Sequence, residues 1–243
     1  MAAAAMAPKL TASSSTAKEL TTHPIVTGSS VLAVKFAGGV MMASDTLASY
    51  GSMARFPDVQ RLRQVSDGVI IGASGEMSDF DFAMRLLDEL RVESECAEDG
   101  AELDAGEVHH YLTRVMYNRR NKFNPLWNQL VVAGTKDGKP VLGVVDQIGT
   151  AFEADFTATG FGKHMAVPQM REHWRADMTE GEARELLEGC MRVLFYRDCR
   201  TINRMQIAKV TATGSVVSPA YSLDTEWSLK SFKKEASPED GSW

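Results

Sequence analysis

Short apolar runs open the ordered part of the chain, and they come in pairs. Residues 31–36 and 40–44 flank the turn sequence AGG, and residues 61–65 and 69–73 flank SDG. Glycine accepts positive φ without a side-chain clash, so each pair predicts a β-hairpin. Polar neighbours predict that residues 61–65 form a half-exposed strand. Residues 69–73 contain VIIGA, which predicts a buried strand.

The period of the apolar positions then changes from two to that of a helix. Residues 78–91 fit helical spacing, with Ser78 or Asp79 as the predicted N-cap, and residues 105–122 form a second helix before Pro125. The order then repeats, with Thr179 and Glu182 predicted to form a capping box. The remaining predicted strands are 130–135, 140–146, 151–160, 205–211 and 216–217, and the remaining helices are 163–175 and 179–197.

Strands and helices are therefore segregated in the chain rather than alternating singly. This order argues against a parallel βαβ sheet and predicts an α+β fold. Two stacked sheets would each need cover on the outer face, which the helix pairs supply. The prediction is a four-layer αββα sandwich.

Composition restricts the classes of function. The net charge of −6 and the isoelectric point near 5.4 argue against general binding to nucleic acid or to an anionic membrane. The short basic cluster Arg119, Arg120 and Lys122 reads as a solvated helix end. Three cysteines without CxxC spacing favour a reducing compartment. The five histidines show no ligand spacing, so neither a metal nor a cofactor is predicted.

Both ends of the chain differ in composition from the middle. Residues 1–20 are rich in Ala, Ser and Thr and lack the apolar block of a signal peptide, so they are predicted to be a disordered leader or propeptide. The central domain is predicted to span residues 21–220. The polar residues 221–243 are predicted to form a mobile tail.

Four sequence stretches carry a resemblance to a known family. The stretches are TGSSVLAVKFAGGVMMASD, IIGASGEMSDF, MYNRRNKFNPLW and YRDCRTINRMQIA, and together they resemble the proteasome β subunits over residues 21–227. The resemblance implies the N-terminal nucleophile hydrolase fold, which is a four-layer αββα sandwich. It agrees with the architecture predicted from the pattern.

Active members of that family cut themselves after a glycine and use the new N-terminal threonine as nucleophile. Its free α-amine, with an ordinary pKa of about 8, serves as the base. By resemblance, Gly28 takes the place of that glycine and Ser29 that of the threonine. Asp45 matches a family aspartate, and Gly75 matches the glycine whose amide holds the oxyanion.

Other family positions depart from the active pattern. The catalytic lysine falls on Arg61, which stays protonated and cannot relay a proton. The serine of the family's G-S-G stretch falls on Phe161, whose ring is predicted to occupy the space of the missing hydroxyl. The late aspartate is kept as Asp198, but the serine after it is Thr201, and the next glycine is Ile202.

The retained residues also have structural interpretations. Asp45 can cap a turn, Gly75 can permit a tight turn into a helix, and Asp198 can pair with Arg197. Ser29 can be a turn residue inside an uncut chain, because a catalytic unit loses nearly all activity when one member is removed.

The sequence therefore predicts a non-catalytic structural subunit of the 20S proteasome β ring. The resemblance implies other proteasome α and β subunits as partners in stacked rings, a location in cytoplasm and nucleus, and a C-terminal arm that reaches the opposite ring. Two alternatives stay open. One is an active N-terminal serine hydrolase that uses Ser29 after cleavage at Gly28, and the other is an independent α+β binding module.

Overall fold

The computed structural model describes residues 23–97, 103–136 and 138–228. The strands are β1 Val26–Gly28, β2 Val31–Phe36, β3 Gly39–Asp45, β4 Ala48–Tyr50, β5 Met53–Phe56, β6 Leu62–Ser66, β7 Val69–Glu76, β8 Asn128–Lys136, β9 Lys139–Val145, β10 Ala151–Glu153, β11 Phe156–Ala158, β12 Met205–Thr211 and β13 Gly214–Val217. The helices are α1 Met77–Cys96, α2 Ala105–Asn121, α3 Gly162–Met165, α4 Val167–His173 and α5 Glu180–Arg197.

The described strands form two antiparallel sheets. The large sheet has the order β10-β9-β8-β7-β1-β4-β5, and β6 also pairs with β7. The small sheet has the order β11-β2-β3-β12-β13. Strand β7 is the axis of the large sheet, because β6 and β1 share one of its edges while β8 follows the other.

Alternation along the strands separates three apolar layers. In β2, Leu32 and Val34 face α5, whereas Val31 and Ala33 face the large sheet. Successive side chains of a strand point to opposite faces, so one strand supplies both layers. The other face of the large sheet packs against α1 and α2. Helices, sheet, sheet and helices therefore form the four-layer αββα sandwich that the pattern predicted.

Local signals at the helix starts are confirmed in two cases and wrong in one. Thr179 caps α5, and its side chain and that of Glu182 satisfy each other's backbone amides. The N-cap of α1 is Glu76, not Ser78 or Asp79, because β7 runs directly into the helix. Asp79 instead accepts a hydrogen bond from the Trp127 amide at 2.8 Å. Helix α2 starts at Ala105 as predicted.

Two predicted elements are each divided in the structure. Residues 151–160 were predicted as one strand, but the chain crosses between sheets there, so β10 pairs with β9 and β11 with β2. Residues 163–175 were predicted as one helix but form α3 and α4. Pro168 explains the break, since proline has no N–H and its ring collides with the carbonyl four residues earlier.

The pattern missed β1, β4 and β5, each of which has three or four residues. Strands this short offer too few positions for alternation to show. Arg61, predicted as the first residue of a strand, lies just before β6, which begins at Leu62.

The predicted leader, residues 1–20, lies outside the described residues, and so does most of the predicted tail. The described start of the tail is docked on the domain. Tyr221 forms a backbone bridge with Met205, and its hydroxyl donates to Glu188 at 2.7 Å. Trp227 meets the Tyr196 ring edge-on at 4.9 Å between centroids. Residues 221–227 therefore pack on the domain that was predicted to end at residue 220.

Candidate functional site

A cavity of about 310 Å³ opens where β1 and β7 run side by side. Its walls bring together residues that are far apart in sequence, including five that the sequence singled out. The lining residues that matter for the chemistry are Gly28, Ser29, Gly75, Phe161, Asp198 and Arg200.

The Gly28–Ser29 bond lies at the end of a strand inside the large sheet. Gly28 pairs with Ala48 of β4 on one side and with Gly75 of β7 on the other. A Cβ at Gly28 would come within 2.5 Å of Arg61 Nε, so only glycine fits between the sheet and that side chain. Ser29 follows directly and is half-buried.

Arg61 is completely buried beneath this bond. Its guanidinium donates to the Asp45 carboxylate, to the Ser29 carbonyl and, at 2.9 Å, to the Ser30 carbonyl. Arginine has five N–H donors in a fixed fork, and these acceptors surround it on several sides. Burial lowers the pKa of Arg61, and the carboxylates of Asp45 and Asp198 oppose that effect. The ordinary pKa of arginine lies so far above neutral pH that the side chain remains a cation, and it holds two backbone carbonyls.

Asp45 is the counter-charge of Arg61 and is also buried. Burial raises the pKa of Asp45 to about 6, although Arg61 and the backbone amides of Ile202 and Leu47 favour the ionised form. The Ile202 amide donates to the carboxylate at 3.2 Å. At neutral pH the pair is therefore ionised, and the turn-capping role predicted for Asp45 is combined with an ion pair.

The Ser29 hydroxyl is held by the end of α5. It donates to Asp198 Oδ2 at 2.6 Å, and Thr201 Oγ1 donates to the same oxygen at 3.1 Å. The Arg200 amide donates to the other carboxylate oxygen at 3.0 Å. Asp198 thus binds two hydroxyls and an amide. The ion pairs of the described residues do not include one between Asp198 and Arg197, so the predicted pairing of these two residues is wrong.

Phe161 lines the cavity and is 56% exposed. That its ring occupies the space of the missing hydroxyl stays a prediction. Ser30, which follows Ser29 in the chain, carries a buried hydroxyl. Ser30 Oγ accepts from the Gly162 amide at 2.9 Å and so fixes the loop that carries Phe161.

Gly75 has a φ of +92°, a conformation that residues with a Cβ rarely adopt. A Cβ there would approach the Trp127 carbonyl oxygen to 2.0 Å. The glycine is thus required by the turn from β7 into α1, which agrees with its structural interpretation.

Glu76 is a site residue that the sequence analysis missed. Its buried carboxylate accepts from the backbone amides of Ile25 and Val26 and from the Ser78 hydroxyl. A glutamate directly after a buried strand and before a helix was the available signal. Glu76 ties the beginning of β1 to the beginning of α1, and so contributes to holding the segment before Ser29 in place.

The Ser29 hydroxyl has no basic side chain as a hydrogen-bond partner within the described residues. Among the described residues, the partners of Ser29 Oγ are an aspartate and a threonine hydroxyl, with no lysine or histidine. The nitrogen of Ser29 is an amide as long as Gly28 precedes it. An amide nitrogen cannot accept a proton as the free amine of active relatives does.

No group of three metal-ligating side chains occurs within residues 23–97, 103–136 and 138–228. Across the same ranges, no helix has the length and apolar character needed to cross a membrane. All three cysteines lie in described segments and are free thiols, with Cys190 buried and Cys96 and Cys199 exposed.

Comparison with known proteins agrees with this geometry. A family model described as "Proteasome subunit" matches residues 25–210. The chain belongs to the proteasome subunit family. Several of its relatives are named β subunits, and the two-sheet sandwich is that of the family, so the chain is a proteasome β subunit.

Individual relatives match along most of their length. "Proteasome subunit beta type-4" of Arabidopsis thaliana is 51% identical over 92% of this chain and 91% of its own length. The protein of the same name in Xenopus laevis is 45% identical over 86% of this chain and 87% of its own. "Proteasome subunit beta type-7" of Saccharomyces cerevisiae is 42% identical over 77% and 74%.

Proposed function

We propose that the chain is a non-catalytic structural subunit of the 20S proteasome β ring, at the position of the relatives named beta type-4 or beta type-7. Its contribution to protein degradation is then to complete and stabilise the ring in which other subunits cut peptides. Its partners are neighbouring α and β subunits, and its location is that of the particle, in cytoplasm and nucleus.

The observation that carries this proposal is the position of Arg61 under the Gly28–Ser29 bond. The guanidinium binds the carbonyls of Ser29 and Ser30 and leaves no room for a larger residue at Gly28. A lysine at this position could approach a serine as a point charge and exchange a proton, whereas an arginine stays charged. The residue that activates the nucleophile in active relatives therefore acts here as a structural clamp.

The strand before Ser29 supports the same conclusion. Strand β1 pairs on both edges, and Glu76 holds the amides of Ile25 and Val26. Cleavage of the Gly28–Ser29 bond would release a free amine at Ser29. It would also cut β1 off from the rest of the chain, next to the Ser29 carbonyl that Arg61 binds. An uncut chain keeps these contacts.

The mature N-terminus of the chain in purified 20S particles tests this proposal. Intact mass and N-terminal sequencing are expected to show a first residue upstream of Ser29, and we propose trimming near Thr21 or Thr22 by a neighbouring active subunit. A free amine on Ser29 would instead indicate the active serine hydrolase.

Labelling by an electrophilic proteasome inhibitor gives an independent test. The chain is expected to remain unlabelled, because Ser29 has no free amine to act as base. Active β subunits of the same particles are the internal control and must be labelled. A covalent adduct on Ser29 would overturn the proposal.

Gel filtration separates the proposal from an independent binding module. Chain isolated from cells is expected to elute with the 20S particle, together with the other subunits. Elution of the cellular chain as a stable monomer would contradict the structural role.

A further inference from the structure

Helix α2 ends in an unusual way. The Phe123 amide donates to the Arg120 carbonyl and the Asn124 amide to the Arg119 carbonyl, each at 3.1 Å. These two bonds form a Schellman motif, in which the residue after the C-cap adopts the left-handed conformation. That residue is usually glycine, but here it is Phe123, with a φ of +53°.

A phenylalanine is costly at this position. The left-handed region brings Cβ close to the following carbonyl oxygen, and a bulky residue there is an outlier. Burial does not offset the cost, because the Phe123 side chain is 92% exposed. Within the described residues, its ring has no aromatic or cation–π contact. Neither local conformation nor packing against the described part of the chain accounts for this residue.

The segment that carries Phe123 is basic, in contrast to the net charge of −6 of the whole chain. Arg120 and Lys122 are exposed, and no acidic residue occurs between residues 117 and 128. The Arg120 guanidinium lies 6.0 Å from the centroid of the Tyr117 ring, and Tyr117 is itself 51% exposed. Aromatic and arginine side chains are the types most often found at the energetic centres of protein interfaces.

We infer that Phe123 is an anchor that inserts into an apolar pocket rimmed by carboxylates on a neighbouring proteasome subunit. Backbone strain at an exposed aromatic residue indicates a function that is not realised in the chain alone. The apolar ring matches an apolar pocket, and Arg120 and Lys122 match a negative rim. This inference rests on the proposed function, because the neighbour exists only in the assembled ring.

Substitution by glycine separates the anchor from a structural role. Phe123→Gly removes both the left-handed strain and the ring, so the purified chain should keep or raise its Tm. In cells that also express the untagged wild-type chain, the tagged variant should enter 20S particles less, by on the order of tenfold relative to tagged wild type. Particles are purified through a different subunit, and the two forms are quantified by mass spectrometry.

Three further variants complete the design. Phe123→Asn also tolerates the left-handed conformation without supplying a ring, so it should behave like the glycine variant. Phe123→Tyr keeps an aromatic ring and should restore entry. Joint replacement of Arg120→Gln and Lys122→Gln should reduce entry and weaken its dependence on salt. Equal entry of wild type and Phe123→Gly would overturn the anchor.

A photo-reactive phenylalanine analogue at position 123 tests the partner directly. After irradiation of intact particles, the expected product is a crosslink to one neighbouring subunit, at an apolar residue with acidic neighbours. Absence of an intersubunit crosslink would overturn the inference. If tagged wild type does not enter particles at all, the proposed function fails, whereas entry without dependence on Phe123 contradicts only the anchor.

Discussion

Arg61 and Asp45 decide the chemistry of the site between them. Both are fully buried, and the cation also holds the carbonyls of Ser29 and Ser30. A buried ion pair contributes little net stability compared with apolar residues, but removal of one partner leaves an uncompensated charge. The pair therefore makes the site intolerant of change at either residue.

Replacement of Arg61 by methionine should destabilise the chain by about 3–5 kcal/mol at neutral pH, because the buried Asp45 carboxyl would lose its counter-charge and would have to stay ionised without a partner or take up a proton. Burial already raises the pKa of Asp45 to about 6, and loss of the guanidinium should raise it further. A carboxyl with a raised folded pKa binds more protons in the native state, so stability falls as pH rises through that interval. The loss relative to wild type should therefore grow above pH 6.

Urea unfolding of both proteins between pH 5 and pH 8 measures this effect. Arg204→Met is the matched control, because Arg204 pairs with Asp58 on the surface and both side chains are accessible to solvent. The control substitution should lower the unfolding free energy by no more than about 1 kcal/mol at every pH. If the difference in unfolding free energy between wild type and Arg61→Met is the same at every pH, the unpaired Asp45 carboxyl is not the cause of the destabilisation.

The sequence identifies these residues but not their contacts. The change from lysine to arginine was visible, and so was the loss of proton transfer that follows from it. The contact between Arg61 and Asp45 is not visible in the sequence. Asp45 lies at the end of a strand of the small sheet, and Arg61 lies in the loop before a strand of the large sheet. Stacking of the two sheets brings them together.

Strand β1 is the element in which the site and the fold depend on each other. Gly28→Ala should destabilise the chain by about 1–3 kcal/mol, because the new Cβ would overlap the pinned Arg61 side chain. Gly189→Ala is the control. It lies inside α5 with no atom within 4 Å of the added Cβ, so it should stabilise the chain by about 0.5–1 kcal/mol. Thermal unfolding of the two variants should shift in opposite directions.

Equal shifts of Tm in the two alanine variants would mean that Arg61 moves aside and that Gly28 is not required in β1.

Strand β1 also shows which elements the hydrophobic pattern does not predict. Long strands and helices were predicted from their periodicity, since each has enough residues for a repeat. The three residues of β1 owe their pairing to β4, β7 and Glu76, which are contacts made only in the folded chain.

Residues 221–227 close the face of the small sheet beside α5. The bridge between Tyr221 and Met205 extends the sheet, and Asn203 exchanges two hydrogen bonds with the backbone of Leu223. Burial raises the pKa of Tyr221 to about 12, and its hydrogen bond to Glu188 acts in the same direction. This segment connects the domain to the last residues of the chain.

A pair of truncations distinguishes this segment from the predicted arm. Removal of residues 221–243 should lower the unfolding free energy by about 1–3 kcal/mol, because several hydrogen bonds and the contacts of Trp227 with Phe195 and Tyr196 are lost. Removal of residues 229–243 alone eliminates none of these contacts and is the matched control.

If residues beyond 228 form the arm to the opposite ring, the shorter truncation should keep the stability of the chain but reduce its entry into complete 20S particles. Equal stability of both truncated chains would contradict a structural role for residues 221–227, and full entry of the shorter truncation would contradict the arm.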